Sequence, residues 1–410
     1  MLVVHTADVH IGVENYGKPD PETRVSTRLT DFLNSLDELV DYSISNNADV
    51  VLFCGDAYKS RNPNQTHQRE FAKRISRLSN ANICVFLVSG NHDSPNIHGP
   101  ATALDIFPVL NVRNIYVGDK IGTQTLQTKS GPCQIISLPW IRKGEFMSLS
   151  KSKLINPTQL NQEIENTIKK QLDIEIENLD PTIPSILSGH VSVSSAVTSS
   201  EKSMMLGKDY ILDVNTLARS ELDYVALGHI HKHQVLNTHP KVVYPGSLER
   251  IDFGEEKDTK GFCVIKFDPQ LAMGQKVVDY KFINVKARNF LTIKCEILIS
   301  DQDPTAVILK EINKYKIADC IVQVHIDIPA SKVSEIDEHK IRQELKSAHH
   351  IAVVKKNIKR ETRIRLPQNV DGTVNPIEAL KTYLTERSLN EDIAKKVIEK
   401  AKTLIEENPD

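Results

Sequence analysis

Short apolar runs alternate with stretches of helical spacing over most of the chain. The runs LVVHTAD, ADVVLFCGD, NICVFLVSGNHD, CQIISLPW, SILSGHV and DYVALGHIH are of strand length, rich in Val, Ile and Leu, and closed by polar residues and Gly. Continuous apolar runs of this length predict strands buried on both faces. Between them, residues 28–46 set Leu29, Phe32, Leu33, Leu36, Leu39, Val40 and Ile44 on one helical face, and residues 65–79 and 158–179 repeat the spacing. Strands in alternation with helices predict a layered α/β fold.

The pattern changes past residue 280. Residues 281–365 read as strand FLTIKCEILI, helix TAVILKEINKY, strand DCIVQVHIDI, helix DEHKIRQELKSA and strand IAVVKKNI, a small α/β unit able to pack its own sheet. The run KKNIKRETRIR at 355–365 holds six Lys or Arg against one Glu. It reads first as a solvated edge strand or linker and second as a contact for nucleic-acid phosphates. Residues 367–372 look like a linker. Beyond them, Asn375 is placed to cap a helix with Pro376 at its first position, and Ile377, Leu380 and Leu384 form one stripe. Ser388 or Asn390 is placed to cap a second helix carrying Ile393, Val397, Ala401 and Leu404. The expected division is 1–280, 281–365 and 366–410.

Composition narrows the class. A chain of 410 residues is long enough for two or three domains. Its net charge of −2 excludes a strongly basic nucleic-acid binder, so any such contact must come from local patches or metal ions. The six cysteines are scattered, which excludes a zinc knuckle or CxxC pair and predicts buried free thiols in a reducing compartment. No apolar run approaches the ~20 residues of a membrane span. The chain opens on MLVV, a strand rather than a leader, and a cytoplasmic location is expected.

The chemistry sits where the strands end. Asp8-Val9-His10 follows the first strand, Gly55-Asp56 the second and Gly90-Asn91-His92-Asp93 the third. Gly189-His190 and Gly228-His229-Ile230-His231 close two later ones. Functional groups collect at the carboxyl ends of strands in open α/β sheets, and Gly lets the chain turn sharply against a ligand. Asp8, His10, Asp56, Asn91, His190, His229 and His231 offer oxygen and imidazole without thiolate, a set suited to Mn²⁺, Fe²⁺ or Zn²⁺. Seven groups are too many for one tetrahedral ion and match two ions sharing a carboxylate. Two ions ~3.5–4 Å apart clamp the attacking and leaving oxygens of a phosphoryl displacement, and water bridging them ionises near neutral pH. His92 is then free to stabilise the transition state or protonate the leaving oxygen.

Together, DVH, GD, GNHD, GH and GHIH in this order resemble the calcineurin-type metallophosphoesterase superfamily. YVALGHIHKHQ, YPGSLERIDFGEE at 244–256, and the order of catalytic unit, small α/β cap and helical pair narrow the likeness to the SbcD nucleases. These are the exonuclease subunits of SbcCD DNA-repair complexes and relatives of the archaeal and eukaryotic recombination nucleases. The likeness covers about the whole chain, with the specific motifs within residues 1–256. It implies a layered calcineurin-like sandwich with a cap and a C-terminal helical pair. It implies one ion on Asp8, His10, Asp56 and His231, and another on Asp56, Asn91, His190 and His229, with His92 catalytic. It further implies Mn²⁺, double-strand exonuclease and single-strand endonuclease activity, a homodimer, and an SbcC-type coiled-coil ATPase that holds the terminal helices in a heterotetramer.

The same analogy sets Arg61 and Asn62 either near DNA backbone or in a plain loop. Position 59 departs from the pattern: it is Lys59 where similar enzymes often have Asp or His. Lysine can meet a phosphate as a point charge but cannot accept the His92 N–H. Asp93, or another group, is left to orient that ring.

Other residues have plainer readings. His5 is expected to be a satisfied core histidine, His98 a loop residue, and His349 and His350 surface residues. Lys232 and His233 divide evenly between a solvated turn and a phosphate contact. Arg250 and Asp252 are expected to pair and fix their loop. Two further functions stay open: a small-molecule phosphoesterase, against which the cap and terminal helices weigh, and a non-catalytic scaffold, against which the complete ligand set weighs.

Overall fold

The computed structural model describes residues 1–94, 101–142, 156–199, 209–359, 375–386 and 391–407. His98, the 360–365 end of the basic run, the expected linker and the expected 388–390 caps lie outside the described residues.

Residues 1–284 build two six-stranded sheets packed face to face. In the first, β1 (Leu2–Thr6), β2 (Val50–Cys54), β3 (Cys84–Val88) and β4 (Ile115–Gly118) run parallel. In the second, β7 (Ser185–His190) and β10 (Tyr224–Gly228) form a parallel core with β6 (Gly131–Leu138) and β12 (Lys241–Tyr244). Antiparallel strands complete both sheets. β13 (Gly261–Phe267) and β14 (Val277–Asn284) extend the first past β1, while β5 (Gly122–Thr128) and β11 (Gln234–Thr238) edge the second. A short parallel pair, β8 (Ser192–Val193) and β9 (Ile211–Leu212), follows β7.

Burial on both faces explains the unbroken apolar runs. Alternate residues of each strand point to opposite sides. Val3, Leu52, Cys54, Phe86 and Val88 meet Ile135, Ile186, Tyr224 and Ala226 between the sheets. Val4, Val51, Phe53 and Val85 face outward onto helix α1 (Thr27–Ser45) and helix α2 (Gln65–Asn80) through Leu29, Leu36, Leu39, Phe71, Ile75 and Leu78. The helix Pro157–Glu177 covers the second sheet with Leu160, Ile164, Ile168 and Leu172. The result is the expected layered sandwich, helix on sheet on sheet on helix. All six cysteines are free and buried.

The cap carries a third sheet of β15 (Phe290–Glu296), β16 (Ile321–Pro329) and β17 (His350–Lys359), all parallel. Helices Pro304–Ile312 and Glu338–Glu344 bury Ile308, Ile312 and Ile341 against Ile293, Val322 and Val324. β14 keeps the chain in the first sheet to Asn284, so the change of sheet falls at residues 285–289. Arg288 pins that crossing. Its Nε donates to Asp31 of α1 at 2.7 Å, and its Nη1 donates to the Asp319 carbonyl at 2.9 Å.

His349 and His350 are not the surface residues the sequence suggested. Both are half-buried at the seam between cap and sandwich. His349 Nε2 lies 3.1 Å from Thr27 Oγ1, and the His350 ring lies 5.8 Å from that of Tyr16. Polar residues at a strand start look solvated in sequence, and only docking of the cap covers them. In the described part of the basic run, Lys356 pairs with Glu338 at 2.7 Å and Lys359 with Glu296 at 2.6 Å. Those two pairs favour the solvated edge-strand reading.

The terminal helices Pro376–Glu386 and Glu391–Glu407 pack on each other. Asn375 Oδ1 accepts the N–H groups of Ile377 and Glu378 at 3.0 and 3.3 Å, the expected cap. Ile393 and Leu404 remain half-exposed. Among the described residues, no helix is long and apolar enough to cross a membrane.

Candidate metal centre

The parallel strands bring their carboxyl ends to one edge of the sandwich. Asp8 and His10 leave β1 there, Asp56 leaves β2, Asn91 and His92 leave β3, His190 ends β7, and His229 and His231 leave β10. The turns are tight. Asp8, His10, Asp56 and His229 all have positive φ, at 53°, 49°, 52° and 103°. Such backbones cost on the order of 1–3 kcal/mol each and persist where function demands the geometry. Two glycines permit the approach: a Cβ on Gly55 would stand 2.1 Å from His190 Nδ1, and one on Gly90 would stand 2.1 Å from Asp56 Oδ1.

The seven sequence-predicted ligands come together, and Asp56 stands between two groups of them. Donor atoms of Asp8, His10 and His231 lie within 4.8 Å of one another, as do those of Asp8, Asp56 and His190. Asp56 Oδ2 is 3.7 Å from His10 Nε2 and 3.5 Å from His190 Nε2. Asn91 Oδ1 is 2.9 Å from His190 Nε2 and 3.1 Å from His229 Nδ1. Asp8, His10, Asp56, His190, His229 and His231 are all buried.

The proton arrangement tests whether cations fit. His190 Nδ1–H donates to the Cys54 carbonyl at 2.8 Å, so Nε2 is the nitrogen that faces the Asn91 and Asp56 oxygens. His231 Nδ1–H donates to Glu255 at 2.8 Å, and its Nε2 lone pair faces His10 Nε2 at 3.0 Å. His229 turns Nε2 toward Asp209 Oδ2 at 3.4 Å and Nδ1 toward Asn91. Ring nitrogens and carboxylate oxygens that converge, with outer acceptors orienting His190 and His231, form a site for divalent cations. The residues fit.

The charges agree. Burial works against ionisation of Asp56, but the imidazoles of His190, His92 and His10 outweigh it and hold this carboxyl below the usual range. His190 is lowered by burial, yet Asp56 and Asp8 more than compensate and bring it to about 9, so a cation bound there would displace its Nε2 proton. Burial drives His10 well below its ordinary value and raises Asp8.

His92 stands beside the cluster, half-exposed, with its ring 5.0 Å from that of His10. Its Nδ1–H donates to the Lys59 backbone carbonyl at 2.8 Å. The unusual side chain at position 59 therefore does not disturb the ring, because a backbone oxygen does the orienting. Asp93 does not take that role. It is buried and accepts the N–H groups of Ala57, Tyr58 and Gly90 at 3.3, 3.2 and 3.1 Å, tying the β2 and β3 loops together. Burial and the Asp56 charge raise its carboxyl to about 6.

Lys59, Arg61 and Asn62 are exposed on the loop after Asp56. Arg250 and Asp252 do not pair. Arg250 donates to the carbonyls of Arg288 and Asp258 at 3.0 and 2.8 Å, and Asp252 accepts the Gly254 N–H at 2.7 Å. Both side chains satisfy nearby backbone instead of each other. His233 is stacked on Phe282 at 4.0 Å with Nδ1 bonded to the Tyr244 carbonyl, which favours a packed turn. His5 is buried between Tyr224 Oη and the Leu227 carbonyl, a satisfied core histidine.

Sequence reasoning missed Asp209, Glu255 and Lys260. Glu255 Oε2 meets Lys260 Nζ at 2.6 Å, and Lys260 also donates to the His231 carbonyl at 3.0 Å. Burial opposes the Glu255 charge, but Lys260 and His231 outweigh it and keep the carboxyl ionised. The clue in the sequence is the pair of acids ending GSLERIDFGEE. In Glu255→Gln, one amide cannot satisfy both neighbours: its oxygen serves His231 or Lys260, and its NH₂ opposes the other. Metal affinity should fall about tenfold to a hundredfold, with about 3 kcal/mol of stability lost from the buried pair. Mn²⁺ titration and thermal melting check this, and wild-type values in both would remove Glu255 from the site.

The calcineurin-like phosphoesterase family matches residues 1–233. The chain belongs to that family. It is accordingly a metallophosphoesterase, a hydrolase of phosphodiesters that works with divalent metal ions. It is 25% identical over 288 residues to the SbcD component of the SbcCD nuclease of Staphylococcus saprophyticus, covering 70% of this chain and 69% of that one. It is 26% identical over 318 residues to the DNA double-strand break repair protein Mre11 of Archaeoglobus fulgidus, covering 72% and 62%. The SbcD component of the SbcCD nuclease of Bacillus subtilis is 24% identical over 309 residues, covering 69% and 73%.

Proposed function

We propose that this metallophosphoesterase is the DNA-cutting subunit of an SbcCD-type double-strand-break repair complex, acting as a double-strand exonuclease and single-strand endonuclease. The observation that carries the reading is the convergence of five strand ends on one buried cluster. Asp8, His10, Asp56 and His231 hold one ion in this reading, and Asp56, Asn91, His190 and His229 hold the other. Two divalent ions, Mn²⁺ by preference, supply Lewis acidity and an activated water when bound.

The chain's own residues do the rest. Asp56, the carboxylate nearest both groups, keeps them in register. The Cys54 carbonyl and Glu255 hold the His190 and His231 rings in the tautomers the ions require, and Asp209 faces His229 Nε2 across 3.4 Å. His92, fixed through Nδ1–H by the Lys59 carbonyl, carries a proton on Nε2 for the leaving oxygen. Lys59, Arg61 and Asn62 line the rim and take the phosphodiester backbone as exposed donors. The net charge of −2 leaves DNA binding to such local contacts.

In this reading the unit 281–365 caps the catalytic sandwich over the DNA, and the protein acts as a nucleoid-associated homodimer. The terminal helices offer Ile393, Val397 and Leu404, all partly exposed, to the coiled-coil base of an SbcC-type ATPase. Removing residues 375–410 should leave Mn²⁺-dependent nicking of single strands within about twofold, because these helices contribute none of the ligands. The same truncation should abolish co-elution with the ATPase, and persistent co-elution would sink the docking role.

The deciding experiment is cleavage of end-labelled double- and single-stranded DNA with Mn²⁺, Mg²⁺ or chelator. Mn²⁺-dependent cutting supports the reading. Hydrolysis of an aryl phosphodiester without cutting of either DNA, with the ATPase present, points to a small-molecule substrate. No hydrolysis at all points to a scaffold.

A further inference from the structure

The short turn Phe253–Glu255 and the following Glu256 face two ways. Glu255 reaches inward. Its Oε1 holds His231 Nδ1 at 2.8 Å, and its Oε2 holds Lys260 Nζ at 2.6 Å and accepts the Ile251 N–H at 3.2 Å. Glu256, one peptide further, reaches outward to the first strand of the cap. It accepts the Thr292 N–H at 2.9 Å through Oε1 and the Thr292 hydroxyl through Oε2. Thr292 Oγ1 in turn accepts from Gln323 of β16 at 2.8 Å. On the same turn, the Phe253 ring meets Phe290 of β15 edge-on at 5.0 Å and Tyr16 at 5.7 Å.

We infer that the cap tunes the metal centre through this turn: the hold of Thr292 on Glu256 fixes the position of Glu255, and Glu255 fixes the His231 ring. Glu255 and Glu256 are thus positioning residues, and the seating of β15 sets the affinity of the group formed by Asp8, His10, Asp56 and His231. The inference rests on the metal reading proposed above.

The physical route is short. Lys260 clamps the His231 carbonyl at 3.0 Å, so the His231 backbone is held from within the sandwich. The ring is held at Nδ1 by Glu255, whose own backbone belongs to the turn. A turn tied to β15 at Phe253 and Glu256 cannot shift without carrying Glu255 with it. Loosening the tie lets the ring rotate, and Nε2 loses its aim at the shared site. Two further seam contacts, Arg288 to Asp31 and His349 to Thr27, end on α1, which carries none of the seven ligands, while Glu249 and Arg250, just before the turn, bond the backbone of Arg288.

Calorimetric Mn²⁺ titration of the full chain tests this, with folding of each variant checked by circular dichroism. Thr292→Val and Glu256→Gln should each weaken binding of one of two ions about threefold to tenfold, and Thr292→Ser should bind as wild type. In a Glu255→Gln background, Glu256→Gln should add little, because its route to His231 is already cut. Wild-type affinity in Glu256→Gln, or an equal loss with and without Glu255, overturns the inference. Glu256→Gln preserves side-chain volume, so the cycle stands even where Thr292→Val fails to fold. A wild-type protein that takes up no Mn²⁺ refutes the metal reading instead.

Discussion

Asp56→Asn should strip the centre of its metal and cut phosphodiester hydrolysis at least about a thousandfold. Oδ1 of Asp56 accepts the His92 N–H at 2.8 Å, and Oδ2 lies between His10 and His190. The asparagine oxygen can keep the first bond, so the loop should hold its shape. The amide nitrogen then occupies the second position, where it offers no lone pair and no charge. In the proposed assignment both groups lose the carboxylate they share. Metal ions contribute several kcal/mol to such reactions, and each factor of ten is about 1.4 kcal/mol. Metal content after dialysis, beside turnover of an aryl phosphodiester, measures both effects. Two ions retained by the variant would remove Asp56 from the bridging role.

His92→Ala should give the opposite pattern: both ions kept, and turnover reduced about a hundredfold to ten-thousandfold, the range for loss of a positioned proton donor. The ring is fixed by the Lys59 carbonyl rather than by any of the seven ligands. Yet its donor atoms also lie within 4.8 Å of those of His10 and Asp56. Loss of an ion in His92→Ala would therefore make His92 a ligand and leave the proton to another group. A leaving group of low pKa needs little protonation, so the deficit should shrink on such a substrate. An equal deficit across leaving groups would argue for transition-state charge stabilisation instead.

These two residues were visible in the sequence because each strand end is a local event. An apolar run that stops at Gly and then offers Asp, Asn or His announces a turn and a ligand together, as at Gly55-Asp56 and Gly90-Asn91-His92. The helices over 27–45, 65–80 and 157–177 were equally legible, because one face of each is apolar at helical spacing. The antiparallel strands that edge both sheets were not. β5, with GTQTLQT, has too few apolar residues to separate an edge strand from a loop.

Position 59 shows where local reading fails. Its side chain suggested a disturbed histidine, while the group that orients His92 is a backbone carbonyl, which every residue type provides. His349 and His350 show the same limit at a larger scale: their environment is set by α1 and Tyr16, more than three hundred residues earlier in the chain.

The sequence by itself determined the strand and helix pattern, the α/β class, the identity of the seven convergent residues and the change of pattern past residue 280. Each of these is written in periodicity or in the residue that ends a strand, and neither needs a distant partner. Only the tertiary structure decided which strands pair in each of the two sheets. It also decided that Asp56 stands between the two ligand groups, and that Asp209, Glu255, Lys260 and Thr292 belong to the surroundings of the site. A lone pair is aimed by the group bonded to the other side of its ring, and that group reaches the ring through space, not along the chain.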